Sequence, residues 1–375
     1  MSTVPLQQAL RGFAINGTVY NARNVLIIAE LGTAHGADLV KAKELIDAAA
    51  AAGAGCIKFQ IVYADEILHP NTGEVVLPGG NIRLYDRFKQ LEVDPDFFAE
   101  LKAHVESRGI LFLCTPFGLH SARELRALQA GVLKIASPEL NHTKLLQELA
   151  SYKLPVLLST GVSKLGDIEE ALDVLSPTAV CLLHCITAYP APEVDYNLRL
   201  LRSLASVFGL PVGVSDHSLD PELVPALGTA LGAVAIEKHF CLSRKDPGLD
   251  DPIALPPEEF QQMVRAIRRA SELGGEETIA ALSRERGAGL VQAILGDGVK
   301  RLAPSEAANY ERTNRSLHAL RDIREGEPIT TDMIAALRTE KVLRPGLPPA
   351  WEAAIIGRKA RGFIPAGEGI RLEDI

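Results

Sequence analysis

A chain of 375 residues is long enough for one large domain and a smaller one. Its 47 acidic against 39 basic side chains leave a net charge of −8, which argues against a nucleic-acid partner held by bulk charge but leaves room for a local basic pocket. Five cysteines are too few for a disulfide framework. No apolar run reaches the ~18 residues of a membrane span, and MSTVPLQQALRGF lacks the basic-then-apolar pattern of a signal peptide, so a cytoplasmic protein with buried thiols is expected.

In chain order, FAINGTVY (13–20) reads as a hairpin turning at Asn16-Gly17, expected to plug a barrel floor. Eight short apolar or β-branched runs follow: NVLIIAE (24–30), GCIKFQ (55–60), GILFLCT (109–115), VLKIAS (132–137), PVLLST (155–160), AVCLLHC (179–185), PVGVSD (211–216) and AVAIEKH (233–239). Helix-period segments separate them. DLVKAKELIDAAAAAG puts Leu39, Ala42, Leu45, Ile46 and Ala49 on one stripe and stops at Gly53. DPDFFAELKAHVESRG starts on Asp94 with Pro95 in its first turn. DPELVPALGTALG starts on Asp220, and Pro225 inside it predicts a kink or a later start. Eight strand–helix pairs force a parallel sheet and favour a (β/α)8 TIM barrel over an open doubly wound sheet. The barrel is assigned to residues 1–283, the glycine-containing stretch 284–313 to a linker, and the short, turn-rich elements of 314–375 to a small second domain.

In such a barrel the chemistry sits at the C-terminal ends of the strands. This chain places Glu30, Lys58 with Gln60, Thr115, Lys134 with Ser137, Ser159, Ser215 with His217, and Glu237 with His239 there. Two lysines among several hydroxyls suit an anion such as phosphate, which needs converging cations and donors. Two histidines at the ends of adjacent strands suit a divalent metal with open positions, although core histidines are the plainer alternative. Asp216 and Glu237 are candidates to orient the two rings, or Glu237 to balance a lysine.

The motifs carry a resemblance. IIAELGTAHGADLVKAKELIDAAAAAGAGCIKFQ, LFLCTPF, LKIASPE, LLSTGVS, LLHCITAYPAPEVDYNLR, GVSDHS and AIEKHFCLSRKDPGLDD resemble the sialic acid (nonulosonic acid) synthase family. LGDGVKRLAPSEAANYERTNRSL and the tail after it look like that family's antifreeze-like (SAF, β-clip) domain. The resemblance implies condensation of phosphoenolpyruvate with an N-acetylated hexosamine in its aldehyde form, giving a nine-carbon 2-keto-3-deoxy sugar acid and phosphate. It implies a divalent metal, usually manganese, with magnesium or cobalt as alternatives, on His217 and His239. It implies that Lys58, Thr115, Lys134, Ser137, Ser159 and Ser215 hold phosphoenolpyruvate, and that Glu30 and Gln60 stand at the reacting centre. Asn81, Tyr189 and Asp250 would contact the sugar. Arg315 would reach a partner's active site, making a domain-swapped homodimer without nucleic acid or membrane.

The chain departs from the family's pattern at Ala34, Gly36, Cys114, Thr187 and Asp251, so the motifs leave the sugar open. Competing readings are a Schiff-base aldolase on Lys134, another phosphoenolpyruvate-dependent sugar-acid synthase, and a non-enzymatic binding module.

Overall fold

Phe13–Ile15 (β1) and Thr18–Tyr20 (β2) pair antiparallel across a turn in which Asn16 (φ 49°) and Gly17 (φ 82°) are both left-handed, the geometry that Asn-Gly favours. They open a computed structural model that describes residues 12–77, 80–340 and 342–375. The expected strands follow as β3 (Leu26–Gly32), β4 (Cys56–Ile61), β7 (Leu111–Pro116), β8 (Leu133–Ile135), β9 (Val156–Ser159), β10 (Val180–Cys185), β11 (Val212–Asp216) and β12 (Ala235–His239). A separate hairpin, β5 (Glu74–Leu77) and β6 (Gly80–Arg83), stands between β4 and β7. The eight strands run parallel in the order β7-β4-β3-β12-β11-β10-β9-β8, and the two ends lie side by side, so the sheet curls into a barrel.

Each barrel strand is followed by a helix: α1 (Leu39–Ala51), α2 (Pro95–Ser107), α3 (Leu119–Ala127), α4 (Thr143–Ser151), α5 (Leu165–Leu175), α6 (Leu200–Phe208), α7 (Leu223–Ala230) and α8 (Pro257–Leu273). Asp38 caps α1 by accepting from Val40 N and Lys41 N, and Ala42, Leu45, Ile46 and Ala49 are buried as the stripe requires. The proline question in the seventh helix resolves as a later start. Asp220 Oδ1 accepts from Glu222 N and Leu223 N, which puts Pro225 in the first turn, where its missing N–H costs nothing.

The stretch read as a linker is partly helical. α9 (Gly275–Arg286) and α10 (Ala288–Leu295) run into it, and Val291, Ile294 and Leu295 pack into the main core. Gly287 (φ 97°) and Gly296 (φ 60°), which looked like loop residues, bracket α10. The small domain pairs β13 (Ser316–Ala319) with β14 (Ile334–Leu337) over its own core of Leu317, Ile323, Ile329, Ile355, Ile364 and Ile370. No helix among the described residues is long and apolar enough to cross a membrane.

Candidate active site

Period-two alternation stratifies the barrel interior. Leu26, Ile28, Cys56, Leu113, Leu157, Cys181 and Leu183 form an apolar layer on Phe13 and Ile15 of the hairpin, which closes the floor as expected. One step further along the same strands the inward side chains turn polar: Glu30, Lys58, Gln60, Lys134, Ser159, Cys185, Ser215, Glu237 and His239 all border one cavity of about 630 Å³. The intervening residues, such as Ile57, Phe59, Leu133 and Val214, face the helices.

The two lysines are buried and bridged by carboxylates. Lys58 Nζ lies 2.9 Å from Glu30 Oε2 and 3.4 Å from Glu237 Oε1, and Lys134 Nζ lies 3.8 Å from the same Glu237 oxygen. Lys134 also donates to Ser159 Oγ at 2.7 Å, Ser215 Oγ donates to Glu237 at 3.1 Å, and Gln60 Nε2 donates to Glu30 Oε1 at 2.6 Å. Thr115 lies off the cavity wall but within 3.5 Å of Lys58 Nζ, so it supports the lysine from behind. Burial opposes the charge on each group, and the neighbours decide the outcome. Against burial, Lys134 and Lys58 hold Glu237 down to about 2. Glu30 is raised because burial exceeds the pull of Lys58. Lys134 is lowered because burial exceeds the attraction of Glu237.

At the upper side of the cavity His217 and His239 present rings 5.5 Å apart between centroids. His217 Nδ1 lies 2.8 Å from Ile186 O, so it carries a proton and donates to that carbonyl. Cys185 Sγ sits 3.9 Å from the same Nδ1. Burial pushes His239 down to about 4 against the pull of Asp250, whose Oδ2 lies 3.8 Å away, so its ring is neutral at pH 7. The Tyr189 ring stacks on His217 with centroids 4.3 Å apart.

A model of the NeuB family matches residues 45–278, and a model of the SAF domain matches residues 314–375. The chain belongs to the NeuB family. It is 35% identical over 314 residues to N,N'-diacetyllegionaminic acid synthase of Campylobacter jejuni, covering 81% of this chain and 87% of that protein. It is 33% identical over 360 residues to N,N'-diacetyllegionaminic acid synthase of Legionella pneumophila, covering 93% and 94%. The crystal structure of the spore coat polysaccharide biosynthesis protein spsE from Bacillus subtilis matches with a TM-score of 0.80 at 31% identity, over 97% of this chain and 98% of that one. The chain is therefore an enzyme of a sugar-acid synthase family, a barrel followed by a SAF domain.

Within this NeuB-family site, three further residues stand elsewhere than expected. Asp216 does not orient a histidine: it points outward and pairs with Lys238 Nζ at 2.6 Å, which also donates to Ser218. That pair, with Tyr196 Oη accepting from His217 N at 2.7 Å, fixes the turn carrying His217. Asn81 lies exposed on β6, outside the cavity, because its neighbour Ile82 takes the inward face against the cluster of Val62, Ile67 and Phe88. Arg315 is 1% exposed and does not border the cavity of its own chain. Its guanidinium pairs with Glu139 at 2.7 Å and donates to the carbonyls of Phe117, Ala336 and Glu66 in its own chain, as a fully buried fork of donors must.

Arg338, also of the small domain, is placed differently. It borders the cavity, shares Glu139 at 2.7 Å and lies over the Phe117 ring at 5.4 Å. Nothing in the local pattern after β14 marks this arginine out. Tyr189, Asp250, Ser137 and Thr187 also border the cavity, whereas Cys114 faces the helices and the buried Asp251 accepts from Gly248 N at 2.8 Å.

The histidine pair is a fit for a divalent ion that keeps most of its coordination open. One ring is neutral, the other is oriented by its Nδ1 bond to a backbone carbonyl, and both border the cavity. No cluster of three or more His, Cys, Asp or Glu ligands occurs among the described residues, so His217 and His239 are the residues that would hold such an ion.

Proposed function

We propose that this enzyme condenses phosphoenolpyruvate with an N-acetylated hexosamine aldehyde, giving a nine-carbon 2-keto-3-deoxy sugar acid and inorganic phosphate. The observation that carries the reading is one cavity in which two buried lysines and a set of hydroxyls stand beside the histidine pair. Lys58 and Lys134, with Ser137, Ser159 and Ser215, neutralise the carboxylate and phosphate of the donor. A divalent ion on His217 and His239, manganese first among candidates, would supply Lewis acidity toward the acceptor aldehyde. C3 of the enol phosphate bonds to the aldehyde carbon, whose C=O electron pair moves to the oxygen and takes up a proton, and water adds at C2. The C2–O bond to phosphate then breaks and the ketone forms. Glu30, aligned by Gln60, takes the proton of that water. Arg338, Tyr189 and Asp250 border the acceptor's end of the cavity. The relatives named as diacetyllegionaminic acid synthases support a diacetamido hexosamine as the first acceptor to test.

The test is incubation with phosphoenolpyruvate, manganese and a panel of N-acetylmannosamine and its 4-acetamido-6-deoxy relatives, read by phosphate release and product mass. A nonulosonic acid from one acceptor, lost with EDTA, is expected; no phosphate release from any of them refutes the reading. Burial lowers the Lys134 ammonium, which favours a second reading, a Schiff-base aldolase. Borohydride trapping of pyruvate on Lys134 would establish that one instead.

The chain seats its small domain on its own barrel, and exchange of that domain between two copies would preserve each contact. We propose such a homodimer. Mixed, inactive His217→Ala and Arg338→Ala chains regain activity if domains are exchanged and stay inactive if they are not.

A further inference from the structure

The segment that joins α10 to the small domain grips the ends of β9 and β10. Glu306 is wholly buried, and its Oε2 accepts from the backbone N–H groups of Val162 and Thr187, both at 2.9 Å. Its Oε1 accepts from Ala303 N at 3.3 Å. Three more side chains of the segment reach the same two loops. Lys300 Nζ donates to Thr160 O at 3.3 Å, Asn309 to Thr187 O at 2.8 Å, and Asn314 to Val162 O at 3.1 Å.

The grip falls on strained backbone. Val162 has φ 42°, a conformation that a β-branched residue rarely adopts, and the segment holds both its N–H and its carbonyl. One residue earlier, Gly161 N donates to Ser137 Oγ at 3.0 Å. A Cβ on Gly161 would collide with Thr187 Oγ1 and Ser137 Oγ, so this loop passes directly against the wall of the anion cradle. Ser159, the partner of Lys134, lies two residues upstream of Gly161.

We infer that Glu306 is a positioning residue: it holds Val162 in the left-handed conformation from which Gly161 orients Ser137 and the β9 end presents Ser159 to the donor's anionic groups. The inference rests on the proposed binding of phosphoenolpyruvate. A single carboxylate is suited to the task because it accepts several N–H groups at once with charge-assisted strength. Misplacing such donors by a fraction of an ångström lowers affinity and rate together.

The test compares wild type with Glu306→Ala, Glu306→Gln and Glu306→Ala/Val162→Gly. Phosphoenolpyruvate binding is measured by calorimetry without acceptor, and both KM values and thermal melts are recorded. Glu306→Ala should weaken phosphoenolpyruvate binding about tenfold and leave the acceptor KM nearly unchanged. Val162→Gly removes the need for strain at that residue, so the double variant should recover about threefold of the loss, a recovery that a purely structural role would not give. If Glu306→Ala does not fold, Glu306→Gln decides, with an expected loss of about threefold. Unchanged phosphoenolpyruvate affinity in the folded variant, or equal rises in both KM values without recovery in the double variant, overturns the inference. Wild type that neither binds nor consumes phosphoenolpyruvate overturns the functional reading and this inference with it.

Discussion

Glu30 is where the pH dependence of the reaction should appear. Burial raises its carboxyl above the ordinary carboxylate range, and Lys58 offsets only part of that. A group that takes a proton must be ionised, so kcat/KM should fall with decreasing pH through a value above about 4.3. Glu30→Gln is expected to lose roughly 100-fold in kcat and to abolish this acid limb; a limb that persists in the variant belongs to another group. Glu237 is the opposite case. Against burial, Lys134 and Lys58 hold it at about 2, below its unfolded value, so its stabilisation is present above about 4.3 and lost as pH falls toward 2. Glu237→Gln should therefore melt lower at pH 7, by about 3 kcal/mol, and approach wild type near pH 2, as measured by pH-dependent thermal denaturation.

The hairpin and barrel strands show what was legible in the sequence. Eight apolar runs, each followed by a helix period, were enough for the barrel, and Asn16-Gly17 for the turn below it. Lys58, Lys134 and Glu237 were legible because a charge on the inward phase of an apolar run has no structural reason to be there. Other features escaped because their cause is not local. The glycines around 287 and 296 have loop composition, yet they bracket a helix whose Val291, Ile294 and Leu295 meet the barrel core. Arg315 and Arg338 both meet Glu139, across more than 170 positions of chain, and only the long-range packing leaves Arg338 rather than Arg315 on the cavity wall. The floor itself is separable from the chemistry. Phe13→Ala should cost about 3 kcal/mol in chemical denaturation while both KM values stay within error, since an apolar layer intervenes between the hairpin and the cavity.

At the scale of the whole molecule, the buried Glu139 ties the barrel to the small domain through two arginines. Removing it leaves two guanidinium groups without their carboxylate, a change that typically costs about 3–5 kcal/mol. Glu139→Ala should split a single calorimetric transition into two, the small domain releasing first; one unchanged transition would show that apolar packing alone joins the domains. The arrangement of the cavity has a consequence for traffic. Lys58 and Lys134, at 4% and 2% exposure, are buried, Tyr189 at 43% is open to solvent, and all three border the cavity together with the small domain's Arg338. A ligand resting against Tyr189 would stand between solvent and these lysines. Donor and acceptor must then queue, the enol phosphate entering first and leaving last if no bond forms. An unreactive acceptor analogue should act as a stopper that seals the donor in, and steady-state inhibition by it should be uncompetitive toward phosphoenolpyruvate.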